Sequence, residues 1–179
     1  FIEVAKTAFM PNRLPPDIEI GLYETATWTP STSNIPNTYH VCEIEIDPET
    51  GQSELVRYTA VNDVGVELHP PSVAGQAQGG IAQAAGQALM EQVVYDEGGQ
   101  VLSGSFMDYC MPRADDLCNF DMASHPVPTK TNPLGVKGAG EGGTVGGLAA
   151  VMNAVNDALA PLGVRNLAMP ATPERVWRA

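Results

Sequence analysis

The chain has 179 residues, of which 44% are hydrophobic, and this is enough to bury a core in one substantial domain or two small ones. Its formal net charge of −12 argues against a nucleic-acid-binding surface, because such surfaces need clustered basic residues. No long uninterrupted apolar run is present, so the sequence predicts no membrane span.

The three cysteines and three histidines are dispersed, with neither a CxxC pair nor the spacing of zinc or iron–sulfur ligands. We therefore expect no metal to be bound directly by this chain. Sparse cysteines in odd number are typical of a reducing compartment, which favours a cytoplasmic location. The chain begins at Phe1 in mid-pattern, which suggests a fragment, a processed piece or one part of a larger subunit.

The first 36 residues are rich in proline and predict short, irregular structure with an extended segment at residues 18–28. From residue 39 the pattern sharpens and predicts a strand with one wetter face, in which Cys42, Ile44 and Ile46 alternate with Val41, Glu43 and Glu45. Residues 47–51 have turn chemistry, and residues 55–61 predict a second strand. The sequence therefore predicts an antiparallel hairpin.

A break at His69-Pro70-Pro71 precedes a predicted helix over residues 76–92, whose many small residues would allow a close approach to a neighbour. A second hairpin is expected around a turn at residues 96–99, and a further strand at residues 119–123. Residues 144–160 predict an amphipathic helix. A short last helix is expected after Thr172 as N-cap, with proline in the first helical position.

These elements predict an α+β fold, in which helices pack on a mixed or largely antiparallel sheet. The sequence has no internal repeat and no linker long enough to mark a boundary. We therefore treat residues 1–179 as one region.

The segment NPLGVKGAGEGGTVGG at residues 132–147 places one carboxylate, Glu141, among glycines at positions 138, 140, 142 and 143. Glycine has no Cβ atom, so its backbone can lie directly against a bulky ligand. Because an apolar helical pattern begins just afterwards, we expect Glu141 near a helix N-terminus in a tight pocket, as a general base beside a large cofactor. The alternative is a carboxylate that only stabilises the helix dipole.

The same glycines fit the GxGxxG spacing of dinucleotide-binding folds. Such a fold needs a strand just before the motif and an acidic residue about twenty residues after it. Here Asn132-Pro133 weakens the strand, and the nearest downstream acid is Asp157. A dinucleotide-binding oxidoreductase domain is therefore the weaker hypothesis.

A second glycine cluster lies at the start of the predicted helix over residues 76–92 and includes Gly79 and Gly80. Free N–H groups at a helix start favour an anion such as a pyrophosphate. The side-chain amides of Gln76 and Gln83 both donate and accept, which suits the edge of a pterin or a base. The alternative is helix packing with solvated glutamines.

Several segments together resemble a known family. They are GQAQGGIAQAAGQAL (75–89), SGSFMDY (103–109), TNPLGVKGAGEGGTVG (131–146) and MPATPERVWRA (169–179), with EIEIDPETG (43–51) in the first hairpin. In this order they are similar to the C-terminal part of the molybdenum-binding large subunit of the molybdenum hydroxylases. This family includes bacterial carbon monoxide dehydrogenase, aldehyde oxidoreductase and xanthine dehydrogenase.

The resemblance implies a part of an oxidoreductase that hydroxylates an aldehyde, carbon monoxide or an N-heterocycle, with water as the oxygen source. It implies a molybdenum–molybdopterin cofactor, in bacterial members usually in the cytosine dinucleotide form. Glu141 would be the catalytic general base. The residues that match cofactor-binding segments of the family are Gln76, Gly79, Gly80, Gln83, Lys137, Gly138, Ala139 and Gly140.

The molybdenum subunit of this family is several times longer than the chain. The resemblance therefore implies, as partners, the remainder of that subunit, an iron–sulfur subunit with [2Fe–2S] clusters, and a flavin subunit with FAD or another electron acceptor. The substrate would be a small molecule. A different hypothesis is an interaction module that keeps the fold but binds no cofactor.

Overall fold

The computed structural model describes all residues from Phe1 to Ala179, in two compact units, Phe1–Ser31 and Thr32–Ala179. The first unit contains helix α1 (Ile2–Ala8), followed by one 3-10 turn. Phe9 packs edge-on against Tyr23, with ring centroids 5.9 Å apart. The segment at residues 18–28, expected to be extended, forms no strand.

The second unit contains a three-stranded sheet in the order β1 (Asn37–Ile46), β2 (Ser53–Asp63) and β3 (Phe120–Ser124). Strands β1 and β2 are antiparallel, and β3 is parallel to β2. The predicted first hairpin is therefore confirmed. Its turn ends at Gly51, which has a φ of +72° and lies so close to Pro173 that a Cβ atom would overlap the Pro173 carbonyl oxygen.

Three helices belong to this unit: α2 (Pro70–Leu89), α3 (Gly142–Leu159) and α4 (Pro173–Arg178). Helix α3 packs on both α2 and β1. The largest fully buried side chains come from strand β2 and these two helices, and they are Tyr58, Ile81, Val151 and Val155. The α+β prediction, with a mixed sheet and packed helices, is confirmed.

Helix α2 begins earlier than predicted, at Pro70 rather than after Gly75. Pro70 and Pro71 occupy the first helical positions, where a missing N–H group has little consequence because the first N–H groups of a helix have no acceptor within it. Nδ1 of His69 accepts a hydrogen bond from the Ser72 N–H at 3.2 Å and caps the helix. Gly75 and its neighbours therefore lie inside the helix, and the expected anion-binding helix start at these glycines was wrong.

The second hairpin is smaller than predicted, and the strand that a dinucleotide-binding fold would need is absent, as its weak sequence pattern indicated. The second hairpin is a single bridge between Tyr95 and Val101 around its turn. No strand precedes the GxGxxG segment, where Val136 forms only one bridge to Gly65. The segment thus lacks the strand–turn–helix context of a dinucleotide-binding fold.

The segment Gly142–Leu162, which is α3 with its following turn, is long and apolar enough to cross a membrane by length and composition, with a mean hydropathy of 1.2. In the fold its Val151, Val155 and Leu159 side chains are buried in the core. Core helices pass the same length and composition test, so this segment is weak support for a membrane span.

Candidate functional site

The first half of α3 lies against α2 with almost no side chain between the two helices. A Cβ atom on Gly143 would overlap the carbonyl oxygen of Ala77 and lie 3.0 Å from the Ile81 nitrogen. One turn later, a Cβ atom on Gly147 would lie 2.6 Å from Cβ of Ala84. These glycines therefore fix the distance between the two helices, Gly143 through backbone contact and Gly147 through contact with the Ala84 methyl group.

A second pair of glycines, Gly142 and Gly146, places α3 directly against side chains of β1. A Cβ atom on Gly142 would lie 2.8 Å from Cγ2 of Thr38, and one on Gly146 would lie 2.5 Å from Nε2 of His40. The Thr38 hydroxyl also donates to the Gly142 carbonyl at 3.4 Å. The start of α3 is thus held between a helix and a strand.

Glu141 is the N-cap residue of α3, with φ −107° and ψ −7°, and its side chain does not cap the helix N–H groups. Its position at a helix N-terminus agrees with the prediction. The predicted tight pocket is not formed by this chain, because Glu141 is exposed. A carboxylate that is not engaged by its own helix keeps its oxygens available to accept a proton.

The structure brings the two glutamines of α2 next to the Glu141 segment. Gln76 and Gln83 are both exposed and lie two helical turns apart. The Thr144 hydroxyl donates to Oε1 of Gln83 at 3.2 Å, which leaves the Gln83 NH₂ group free to donate elsewhere. A Cβ atom on Gly140 would lie 3.7 Å from Oε1 of Gln76. Residues on both sides of Glu141 therefore contact or approach these amides.

Gly79 and Gly80 of α2, both predicted to bind the cofactor, have different surroundings. Gly80 is buried against α3, where a Cβ atom would lie 2.7 Å from the Thr144 nitrogen. Gly79 is exposed, and a Cβ atom there would meet nothing within 4 Å. Packing within this chain explains glycine at position 80 but not at position 79.

Lys137 was predicted to lie in a cofactor-binding segment, but its ammonium group is already paired. Nζ lies 2.5 Å from Oδ2 of Asp63, and the two side chains are only 11% and 10% exposed. Any cofactor contact at this position would therefore use the backbone. Gly138 is exposed and Ala139 is half-buried, and the Gly138 N–H donates to the Asn34 carbonyl at 2.9 Å.

Asp63 is a residue that the sequence analysis missed. Burial disfavours its charged form, but hydrogen bonds from Lys137 and from the backbone of Val127 and Gly65 outweigh this and hold the pKa of Asp63 well below its usual range. The carboxyl group is therefore ionised wherever the protein is folded near neutral pH. Its main partners are distant in sequence, so no local pattern indicated it.

The sequence analysis also missed the pair formed by Tyr58 and His40, which lies under α3. Tyr58 is fully buried and its hydroxyl lies 2.7 Å from Nδ1 of His40, while the buried Nε2 of His40 has no partner. Burial lowers the pKa of His40 and raises the pKa of Tyr58. The inward-facing alternation of Thr38, His40 and Cys42 along β1 was the available signal.

Stability should fall as the pH drops below about 6.5, because the pKa of His40 is lower in the folded than in the unfolded chain. The unfolded state then binds more protons, so the stabilisation is present above the unfolded pKa and is lost at lower pH. We expect His40→Gln to remove this part of the slope in unfolding midpoints measured from pH 7.5 to 5. Val41→Thr, on the exposed side of β1, should keep the slope. An unchanged slope in His40→Gln would contradict the assignment.

Known proteins share both the sequence and the fold. Residues 1–118 match the family described as the molybdopterin cofactor-binding domain. This range includes both glutamines of α2 and ends before Glu141. Over 168 residues the chain is 40% identical to the nicotine 6-hydroxylase large subunit of Paenarthrobacter nicotinovorans, and the alignment covers 94% of this chain and 21% of that protein.

Two solved structures are similar to this one over 98% of the chain. Quinoline 2-oxidoreductase from Pseudomonas putida 86 superposes with a TM-score of 0.88 at 40% identity. The Cu,Mo-containing carbon monoxide dehydrogenase in its carbon monoxide-reduced state gives a TM-score of 0.88 at 34% identity. In both cases the match covers 22% of the larger chain, so this chain spans about a fifth of the length of its relatives.

Proposed function

Because this chain belongs to the molybdopterin cofactor-binding domain family, we propose that it forms part of the cofactor and substrate site of a molybdenum hydroxylase large subunit. The observation that carries the proposal is the proximity of the Glu141 segment to the two exposed glutamines of α2. The Thr144–Gln83 hydrogen bond of 3.2 Å joins these two parts of the site directly.

The residues at this surface suit a molybdopterin. Gln76 and Gln83 present amide groups that donate and accept hydrogen bonds, as the edge of a pterin requires. Gly79 leaves open space beside them, and Gly138 and Gly140 are exposed backbone that a ligand can approach closely. When bound, the cofactor supplies the redox-active metal centre. The cytosine dinucleotide form belongs to this proposal, on the resemblance to bacterial members of the family.

Glu141 acts as the general base in this proposal. Its carboxylate is exposed on this chain and is not engaged in capping, so Oε1 or Oε2 can take a proton from a group brought to within hydrogen-bond distance. The backbone contacts of the glycines in α3 hold its main chain in a fixed place relative to Gln83. The chain thus orients the base and one side of the cofactor surface.

The substrate class follows from the names of the similar proteins. The two comparisons at 40% identity are named for nicotine and quinoline, which are N-heterocycles, and the one at 34% for carbon monoxide. From these names and from the family resemblance, which adds aldehydes, we propose oxidative hydroxylation of an N-heterocycle, an aldehyde or carbon monoxide, with water as the oxygen source.

The chain acts within a larger assembly in this proposal. It spans about a fifth of its relatives, and one of them is named as a large subunit. The remaining partners are the rest of the molybdenum subunit, an iron–sulfur subunit, and a flavin subunit or another acceptor. Three free cysteines agree with a reducing, cytoplasmic compartment.

Molybdenum analysis of the intact protein, purified with its natural partners, tests the cofactor assignment. We expect molybdenum in the wild type and a reduced content in Gln83→Ala, because that variant loses an amide that faces the cofactor. Gln87→Ala, one turn further along α2 and equally exposed, is the matched control and should keep the metal. A wild-type assembly without molybdenum would instead support the cofactor-free interaction module.

A further inference from the structure

Asp63, at the end of β2, accepts hydrogen bonds on both carboxylate oxygens. Oδ2 accepts from Nζ of Lys137 at 2.5 Å and from Nδ2 of Asn37 at 3.3 Å. Oδ1 accepts from the N–H groups of Val127 at 2.9 Å and of Gly65 at 3.0 Å. One buried carboxylate therefore joins the start of β1, the end of β2 and the long loop that leads to α3.

The same loop is also held by backbone hydrogen bonds on either side of this ion pair. The Lys137 N–H donates to the Val64 carbonyl at 2.8 Å, and the Val66 N–H donates to the Gly135 carbonyl at 3.0 Å. Gly65 has a φ of +66°, and a Cβ atom there would overlap the carbonyl oxygen of Gly135. The loop is therefore fastened to the sheet up to residue 137.

Only three residues, Gly138, Ala139 and Gly140, separate this fastened segment from Glu141. None has a side chain longer than a methyl group, so none can fix the backbone by side-chain packing. The course of these residues is set at one end by Lys137 and the backbone hydrogen bond from Gly138 to Asn34, and at the other end by α3. We propose that Asp63 is a positioning residue, which places Glu141 by holding Lys137; this role rests on the proposed function of Glu141 as the base.

The physical reason is the cost of an unpaired buried charge. The two side chains are only about a tenth exposed, so removing the Asp63 charge leaves the Lys137 ammonium buried without a counter-ion. To be hydrated, the ammonium must draw its largely buried stem out of this position, and the Lys137 backbone then loses the side-chain contact that helps to hold it. A shift of about 1 Å in a catalytic group is enough to lower the rate roughly 100-fold.

The experiment compares Asp63→Asn, Lys137→Met and the double variant in the intact protein with its natural partners. We expect Asp63→Asn to lower kcat about 10- to 100-fold with molybdenum retained and KM little changed. Amide hydrogen exchange over residues 138–141 should become faster by about 10-fold or more. The double variant, which leaves no uncompensated charge, should recover part of both losses.

Two controls separate positioning from general destabilisation. Asp121→Asn breaks an ion pair with Arg57 in which the Arg57 and Asp121 side chains are 62% and 61% exposed. This substitution should change neither kcat nor the amide hydrogen exchange of residues 138–141. Val176→Ala, in the buried part of α4, should lower the melting temperature without changing kcat below it. Wild-type kcat and exchange in Asp63→Asn would overturn the proposal, as would an equal loss of kcat in a Val176→Ala variant of equal melting temperature.

Glu141→Gln separates the base role of Glu141 from the positioning role of Asp63. If Glu141→Gln is inactive while Asp63→Asn is normal in kcat and exchange, the positioning role fails and the base assignment stands. If Glu141→Gln keeps wild-type turnover, both fail, whatever the exchange rates in Asp63→Asn. If both variants lose turnover and only Asp63→Asn loosens residues 138–141, the positioning role is supported.

Discussion

Replacing Glu141 by Gln should lower kcat by about 10²- to 10⁴-fold, the usual contribution of a general base. The amide has nearly the size of the carboxylate but cannot take up the proton. Because the side chain is exposed and does not cap α3, the fold should be almost unaffected, apart from about 0.3–1 kcal/mol of helix-dipole stabilisation. The measurement is steady-state turnover of the intact enzyme, normalised to its molybdenum content.

The control for this substitution is Glu174→Gln. Glu174 is also an exposed carboxylate in the first turn of a helix, α4, where it pairs with Arg178 at 2.7 Å. The same chemical change there should leave kcat at the wild-type value. Near-wild-type turnover in fully loaded Glu141→Gln would end the assignment of this residue as the base.

Gly143→Ala should destabilise the protein by about 1–3 kcal/mol, the typical penalty for forcing an extra carbon into a packed core. The added Cβ atom would overlap the Ala77 carbonyl oxygen and lie 3.0 Å from the Ile81 nitrogen. Both are backbone atoms of α2, so no side-chain rotation relieves the clash and the helices must separate. The gain in helix propensity, about 1 kcal/mol at most, does not offset this. The measurement is the urea midpoint of the intact protein.

Gly75→Ala is the matched control, because Gly75 is also helical but has nothing within 4 Å of a Cβ atom. It should leave the midpoint unchanged or raise it, by up to about 1 kcal/mol in free energy. A Gly143→Ala midpoint as high as that of Gly75→Ala would show that the two helices can shift apart freely. The backbone contact would then not determine the position of Glu141.

The elements that the sequence predicted correctly are those with local causes. In the first hairpin β1 alternates strictly and the turn follows within a few residues, and α4 has Thr172 as its cap, where Oγ1 accepts from the Arg175 N–H. The predicted start of α2 was wrong because a pair of prolines can either end a segment or begin a helix. The His69 cap, which decides between these, is visible only in the structure.

The sequence predicted the residue types of the candidate site, but it did not predict the long-range hydrogen bonds that join them. The glycine spacing indicated where Glu141 stands relative to α3, and the small residues of α2 indicated a close neighbour. Nothing local indicated Asp63, whose bonds to Val127 and Lys137 span 64 and 74 residues of sequence. The expected pocket around Glu141 is not built by this chain, because enclosing a side chain needs neighbours that the chain does not place there.

Helix α3 divides into two halves that differ in what they contribute. Its second half buries Val151, Val155 and Leu159, whose apolar area supplies the free energy that holds the helix in the fold. Its first half buries almost no side-chain carbon and sets only distances. Substitutions late in the helix should therefore lower stability alone, whereas substitutions early in it should in addition change the place of Glu141 relative to Gln83 in the molecules that remain folded.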